Sequence, residues 1–286
     1  MTTNNTNNEP SICFYGAGSM AEAIVRGLIH RKVAPPEAIS MLNRSNRERL
    51  DYLAGTYGIK TGRDDVEKKD RLTSASVIVL AMKPKDAGEA LKALGSLLRK
   101  DQLIVSVIAG LSIATIQALL GYQAPIARTM PNTSSSIGLG ATGIAFSAEV
   151  TEEQSAQVLA MFEAVGTAQV IPEEQMEILT GVSGSGPAYI YYMMEAMIEA
   201  GIEGGLTPEQ ARELTVQTVL GAAVMMKETG EAPAKLRADI TSPNGSTQAA
   251  LETLAEGSFN ATVKAAVHRA AERSKEMGEA VKEALL

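Results

Sequence analysis

The apolar run Ile12-Cys13-Phe14-Tyr15 stops at Gly16-Ala17-Gly18-Ser19-Met20-Ala21, and this junction constrains the fold more than any other stretch. Beyond it Ala21, Ile24, Val25, Leu28 and Ile29 recur at helical spacing. The pattern is a buried strand, a tight glycine turn and an amphipathic helix. Its spacing fits the dinucleotide fingerprint GxGxxA. Gly16 permits the sharp turn, Gly18 leaves room for a pyrophosphate beside the backbone, and Ala21 lets helix and strand pack closely. Free amides at the helix start, with the helix dipole, favour the phosphate charge.

The first half continues in the same rhythm. Ile39 to Leu42 reads as a second strand, followed by a helix from about Asn46 to Ala54. Ser76 to Ala81 and Leu103 to Ile108 are continuous apolar runs, as strands buried on both faces should be. Pro125 to Met130 and Thr142 to Phe146 read as later strands. Helical stretches lie between at Asp86–Leu98, Ile113–Leu120 and Glu152–Val165. The order predicts an α/β fold with a Rossmann-type doubly wound sheet.

After about Val170 the strand signals stop. Pro187 to Ala200 reads as a helix that Gly204-Gly205 ends. Thr207-Pro208-Glu209-Gln210 opens another, as a capping box with proline at its first position. From Arg212 to Met226 that helix is apolar on nearly every side, so it is expected to be buried, inside the chain or against a second copy.

Composition excludes several classes of function. A net charge of −7 over 286 residues argues against general nucleic-acid binding. No apolar run reaches the ~18 residues of a membrane span. Residues 1–10 carry no basic-then-apolar signal and are expected to be a disordered tail. The single cysteine, Cys13, excludes an internal disulfide, which suits a reducing cytoplasm. It falls inside the first strand and reads as a core residue. The two histidines fall at a helix end, His30, and in a basic, surface-like helix, His268, which argues against a Ser-His-Asp hydrolase; no His/Cys/carboxylate cluster has metal-ligand spacing, so no metal is expected.

The second strand ends at Asn43-Arg44-Ser45. An NAD site usually places a carboxylate there for the ribose hydroxyls. This chain has none, and Arg44 can pair with a 2′-phosphate. NADPH is therefore the expected cofactor, with NADH as the alternative. The other loops at strand C-termini are Ala81-Met82-Lys83-Pro84-Lys85, Ala109-Gly110-Leu111-Ser112 and Met130-Pro131-Asn132-Thr133. Two more open helices in the second half: Gly181 to Pro187, rich in glycine and serine, and Thr241 to Thr247. Both offer amides and hydroxyls at a helix start, either as plain N-caps or as anion sites.

Taken together, these motifs resemble pyrroline-5-carboxylate reductases over nearly the whole chain after the tail. The resemblance rests on Gly16 to Ile24, Lys83-Pro84, Arg128 to Thr133, Val182 to Tyr189 and Ile240 to Thr247. It implies NAD(P)H-dependent reduction of 1-pyrroline-5-carboxylate to L-proline, the last step of proline biosynthesis. It divides the chain into a dinucleotide-binding domain at 11–168 and a helical substrate-binding and dimerisation domain at 169–286. Gly16, Ala17, Gly18, Ser19, Met20, Asn43, Arg44, Ser45, Ala81, Met82, Lys83, Pro84, Ala109 and Gly110 would hold the cofactor. Ser242, Asn244, Gly245, Ser246 and Thr247 would hold the substrate, with Ser183, Gly184 and Ser185 close by. The resemblance also implies a homodimer at least, and a ring of five dimers as the larger assembly.

Some positions depart from the family pattern. Ser19 stands where Asn is common, Ser134 where Pro is usual, Asp65 where Asn is frequent and Asn244 where Gly is usual. Asn tolerates φ > 0 better than most residues. The substrate is a cyclic imine bearing a carboxylate. Thr247 is the expected catalytic residue, its hydroxyl meeting the ring nitrogen, with no strong general base required. Most acceleration is expected from proximity and orientation. Two rival readings remain: a β-hydroxyacid-type dehydrogenase, and a non-catalytic nucleotide-binding paralogue with a regulatory role. The first needs a lysine that Tyr189 to Ala200 lacks; the second does not explain Ser242, Gly245 and Thr247.

Overall fold

The computed structural model describes residues 11–285, so the expected tail at 1–10 lies outside the described residues. The chain forms two compact units. One runs to Gly184 and also takes the chain end from Ala270 onward; the other is Ser185–Arg269. Residue 168, where the sequence suggests a boundary, lies within a strand of the first unit.

In the first unit β1 (Ile12–Tyr15), α1 (Ser19–His30), β2 (Ile39–Leu42), α2 (Arg47–Tyr57), β3 (Lys60–Thr61), α3 (Asp65–Ser74), β4 (Val77–Leu80), α4 (Ala87–Gly95), β5 (Leu103–Ser106), α5 (Ile113–Leu120) and β6 (Ile126–Met130) alternate. Then come β7 (Gly140–Phe146), α6 (Glu152–Glu163), β8 (Gly166–Val170) and α7 (Met176–Leu179). The eight strands lie in the order β3-β2-β1-β4-β5-β6-β7-β8. The first six run parallel; β7 is antiparallel to β6, and β8 is parallel to β7. Chain order reverses between β1 and β4, which makes that crevice the topological switch point.

The two-residue period of a strand explains the apolar runs. Ile12 and Phe14 of β1, with Val77 and Val79 of β4, enter a core that holds Ile24, Leu28 and Phe162. Cys13, Ile78 and Leu80 point to the opposite core, against Leu91 and Ile116. Helices cover both faces, so neither face of these strands can be polar. Each fully buried Ile, Leu or Phe contributes about 1.5–3 kcal/mol. Cys13 is wholly buried, and that burial pushes its thiol up to about 11, so it is a core residue, as expected.

Four elements of this unit escape the sequence pattern: β3, α3, β8 and the one-turn α7. β3 is only two residues long. α3 is highly charged, with Leu72 its one buried residue. β8 lies at the sheet edge and is largely exposed, so it needs no apolar alternation.

The second unit is helical: α8 (Gly186–Glu203), α9 (Pro208–Thr229), α10 (Pro233–Asp239), α11 (Ser246–Glu256) and the start of α12 (Phe259–Leu285). The capping box of α9 forms as expected: Thr207 Oγ1 accepts from the Gln210 amide at 3.2 Å, and Gln210 Oε1 from the Thr207 amide at 3.0 Å. Within one chain α9 is not buried. Only Ala211 and Thr215 are covered, while Leu214, Leu220 and Met225 are about half exposed. Burial inside the chain, one of the two expected outcomes, is therefore ruled out. Among the described residues no helix is long and apolar enough to cross a membrane.

Candidate active site

Four loops expected to hold a cofactor stand at the C-terminal ends of neighbouring parallel strands. Gly16 to Gly18 follow β1, Asn43 to Ser45 follow β2, Ala81 to Pro84 follow β4, and Ala109-Gly110 follow β5. Gly16 has φ of 129°, and a Cβ on it would fall 2.3 Å from the Ala81 carbonyl oxygen. The β1 and β4 loops thus touch at the switch point, and only glycine fits.

Gly18 is different. Its φ is −77°, open to any residue, and a Cβ there would meet no atom within 4 Å. Neither backbone nor packing demands glycine at this position. The open space in front of it is what a pyrophosphate would fill. Gly18 is also the N-cap of α1 and offers no side-chain acceptor. The amides of Ser19, Met20 and Ala21, in the first turn, therefore have no acceptor from the cap or the helix. These residues fit a dinucleotide.

The β2 loop is shaped by Asn43, whose Oδ1 accepts from the amides of Ser45 and Asn46 at 3.3 and 3.4 Å. Arg44 is 87% exposed and lies 3.8 Å from Asp86, a contact too loose to hold it. Lys83 is exposed and caps the tight turn Pro84–Asp86. In the β5 loop Gly110 has φ of 79°, and its missing Cβ would come within 3.1 Å of Gly278 Cα. The end of α12 therefore seats on this loop, a contact that nothing in the helical pattern signals.

The stretch from Gly181 to Pro187, expected to be a loop, is helical instead. Thr180–Gly184 forms a π-turn that continues α7 and leads into α8. Ser183 Oγ donates to the Leu179 carbonyl at 3.2 Å, so this hydroxyl supports the turn. The Ser183 carbonyl accepts from Asn132 Nδ2 at 3.0 Å, and Asn132 Oδ1 accepts from the Ala141 amide at 3.2 Å. Below this, Arg128 of β6 is buried and paired with Glu173 at 3.1 Å and Glu177 at 3.0 Å. Glu173 also accepts from the Ile113 amide at 2.8 Å. The charges are matched and hydrogen-bonded, as a buried guanidinium requires. Neither glutamate drew notice in the sequence. The signal was there: an arginine inside an apolar strand, and two glutamates four residues apart on one helical face.

In the second unit Ser242 to Thr247 form a turn into α11, which begins at Ser246, two residues earlier than expected. Asn244 has φ of 59°, the left-handed conformation that its replacement of glycine suggested. Its amide donates to Gln248 Oε1 at 2.9 Å, and the Gly245 amide donates to the Ser242 carbonyl at 3.0 Å. Gly245 is the N-cap and has no side chain to offer, so the amides of Ser246, Thr247 and Gln248 have no acceptor from the cap or the helix. Thr247 is half-buried. Ser183, Gly184, Ser242 and Thr247 do not all share one unit: the first two belong to the first, the others and Ser185 to the second.

A family model described as pyrroline-5-carboxylate reductase dimerisation matches residues 173–277. One described as NADP oxidoreductase, coenzyme F420-dependent, matches residues 11–110. The chain is 43% identical over 272 residues to pyrroline-5-carboxylate reductase 1 of Bacillus subtilis, across 95% of this chain and 91% of that one. Among solved structures, a pyrroline-5-carboxylate reductase from Coxiella burnetii matches with a TM-score of 0.88 and 38% identity, over 94% of this chain and 98% of that one. The Plasmodium falciparum pyrroline carboxylate reductase, solved with NADP bound, matches at 0.83 and 29%, over the same shares of 94% and 98%.

Proposed function

The chain belongs to the pyrroline-5-carboxylate reductase family, and from this membership and the site geometry we infer that it reduces 1-pyrroline-5-carboxylate to L-proline with NAD(P)H. This reaction completes proline biosynthesis. The protein is an oligomer, since the helical region matches a dimerisation family and α9 leaves its apolar sides uncovered in one chain.

The observation that carries the substrate assignment is the turn into α11. Three first-turn amides without a cap or intrahelical acceptor face the charge of a carboxylate favourably. Ser242 and Ser246 add hydroxyls to this cradle, and Asn244 and Gly245 give it shape. Thr247 Oγ1 hydrogen-bonds the ring nitrogen and orients the imine. Ser183, Gly184 and Ser185 complete the substrate contacts.

For the cofactor, the amides of Ser19 and Met20 hold the pyrophosphate, with Ala17 and Gly18 leaving it room. Asn43, Arg44 and Ser45 take the ribose end, and Arg44 pairs with a 2′-phosphate, so NADPH is preferred over NADH. Ala81, Met82, Lys83, Pro84, Ala109 and Gly110 line the path toward the nicotinamide. Bound NADPH supplies the hydride, which adds to the carbon of the protonated C=N bond. With the nitrogen already protonated, the chain needs no strong base. Its residues act by holding carboxylate, nitrogen and cofactor in register, which can supply most of the barrier reduction.

The minimum assembly is a homodimer, and five dimers in a ring is the larger form we propose. A cytoplasmic location suits the single buried thiol. The direct test is an assay of the purified protein with NADPH. NADPH loss that requires 1-pyrroline-5-carboxylate and yields proline one for one supports the reading. NADPH loss indifferent to that substrate refutes it.

A further inference from the structure

Glu22 occupies the first turn of α1, the turn whose amides face the proposed pyrophosphate site. A carboxylate there favours the free helix, because it complements the dipole. For an incoming diphosphate the same charge is repulsive. The structure answers it from a different element. Arg49 of α2 sends Nη2 to Glu22 Oε2 in a close ion pair, and Tyr57 Oη donates to Glu22 Oε1 at 2.9 Å. Arg49 Nε donates at 3.1 Å to the carbonyl of Ala17, inside the glycine turn itself. Arg49 and Glu22 side chains are only 26% and 19% exposed, so solvent screens this pair less than a surface one.

We propose that Arg49 is a positioning residue for dinucleotide binding: its two bonds hold the Gly16-Ala17-Gly18 turn in shape and neutralise Glu22 beside the anion site. A lysine would restore the charge but could not reach the carbonyl and the carboxylate with one rigid planar fork. The guanidinium also lies 5.4 Å from the centre of the Tyr52 ring, which helps fix its direction. The Asn43 to Ser45 loop leads straight into α2, whose N-cap Asn46 accepts from the Arg49 amide at 2.9 Å. Arg49 thereby joins the element carrying the proposed ribose-binding loop to the glycine turn. Arg26, one turn beyond Glu22, also lowers the carboxylate's affinity for a proton but is exposed and binds neither the turn nor α2.

This inference rests on the dinucleotide reading above, and its test separates the two. NADPH affinity is measured by calorimetric titration of the full chain, alongside thermal unfolding without ligand. Arg49→Met should weaken NADPH binding roughly tenfold, the order expected of one uncompensated charge beside an anion site. KM for NADPH should rise in step, with kcat at saturation within about twofold of wild type. Arg49→Met combined with Glu22→Gln should bind NADPH more tightly than Arg49→Met but less tightly than wild type, because the repulsive charge is gone while the bond to the Ala17 carbonyl is still missing. A merely structural role predicts the opposite, since the double variant loses still more contacts. Glu22→Gln alone should bind NADPH at least as tightly as wild type, which keeps the test open if Arg49→Met does not fold. Unchanged affinity in Arg49→Met, no recovery in the double variant, or weaker binding by Glu22→Gln alone would each overturn this role. Wild-type protein that fails to bind NADPH would overturn the dinucleotide reading and this inference with it.

Discussion

The carbonyl oxygen of Ala81 stands only 2.3 Å from where a Cβ on Gly16 would be, too close for any side chain. One glycine therefore sets how closely the β1 and β4 loops approach at the switch point. A Cβ on Gly18, two residues on, would meet no atom within 4 Å. Packing requires the first glycine and the proposed pyrophosphate the second, so their alanine variants should part accordingly. Gly16→Ala should destabilise the free protein by about 1–3 kcal/mol, through overpacking and a strained φ. Gly18→Ala should leave thermal unfolding unchanged and weaken NADPH binding. Calorimetric unfolding and NADPH titration of both variants check this; a Gly18→Ala protein that binds normally would detach the pyrophosphate from this turn.

Cofactor choice should turn on Arg44. Its side chain is exposed and only loosely paired with Asp86, so swinging it to a 2′-phosphate costs little. Arg44→Asp should reverse the preference between NADPH and NADH, since a carboxylate repels the phosphate and accepts from a free hydroxyl. Steady-state kinetics with both cofactors decide the matter. An unchanged ratio of kcat/KM would assign the discrimination to another residue.

Thr247→Ala should lower kcat/KM for 1-pyrroline-5-carboxylate while leaving NADPH affinity nearly intact. A hydrogen bond to a charged group is worth about 1.5–3 kcal/mol, or roughly 10- to 150-fold. Wild-type kinetics in this variant would remove the hydroxyl from the mechanism.

Acid should weaken the clamp on the glycine turn. Burial pushes the Glu22 carboxyl up, but hydrogen bonds from Arg49 and Tyr57 outweigh it and hold the group below its ordinary value of 4.5. Its folded pKa lies below the unfolded one, so its stabilisation is full above about pH 4.5 and fades as pH falls through the folded value. Wild type should melt above Glu22→Gln near neutrality, and the two Tm values should converge in acid. Parallel Tm curves across that range would contradict the account.

The core strands and the glycine turn were legible because their constraints are local. Strand period, glycine geometry and capping chemistry are written in consecutive residues, and the left-handed Asn244 followed from a single substitution. What stayed hidden depends on distant partners. The Arg49 clamp joins α1 and α2 across 27 residues of chain. The Arg128 pairs link β6 to Glu173 and Glu177, 45 and 49 residues away. The π-turn at Thr180–Gly184 reads as a loop because its glycines and serines favour one, and Asn132 holds the turn from another element. The sides of α9 were legible as apolar, but a sequence cannot say whether its own chain or a second copy covers them.

The central claim is hydride delivery to the imine carbon, and isotope transfer tests it most directly. Purified protein is given 1-pyrroline-5-carboxylate and NADPH carrying deuterium at the transferable position of C4, and the proline is analysed by mass spectrometry and NMR. The account predicts one deuterium per proline, on the ring carbon that was double-bonded to nitrogen. Proline free of deuterium, or NADPH consumed with no proline formed, would contradict it.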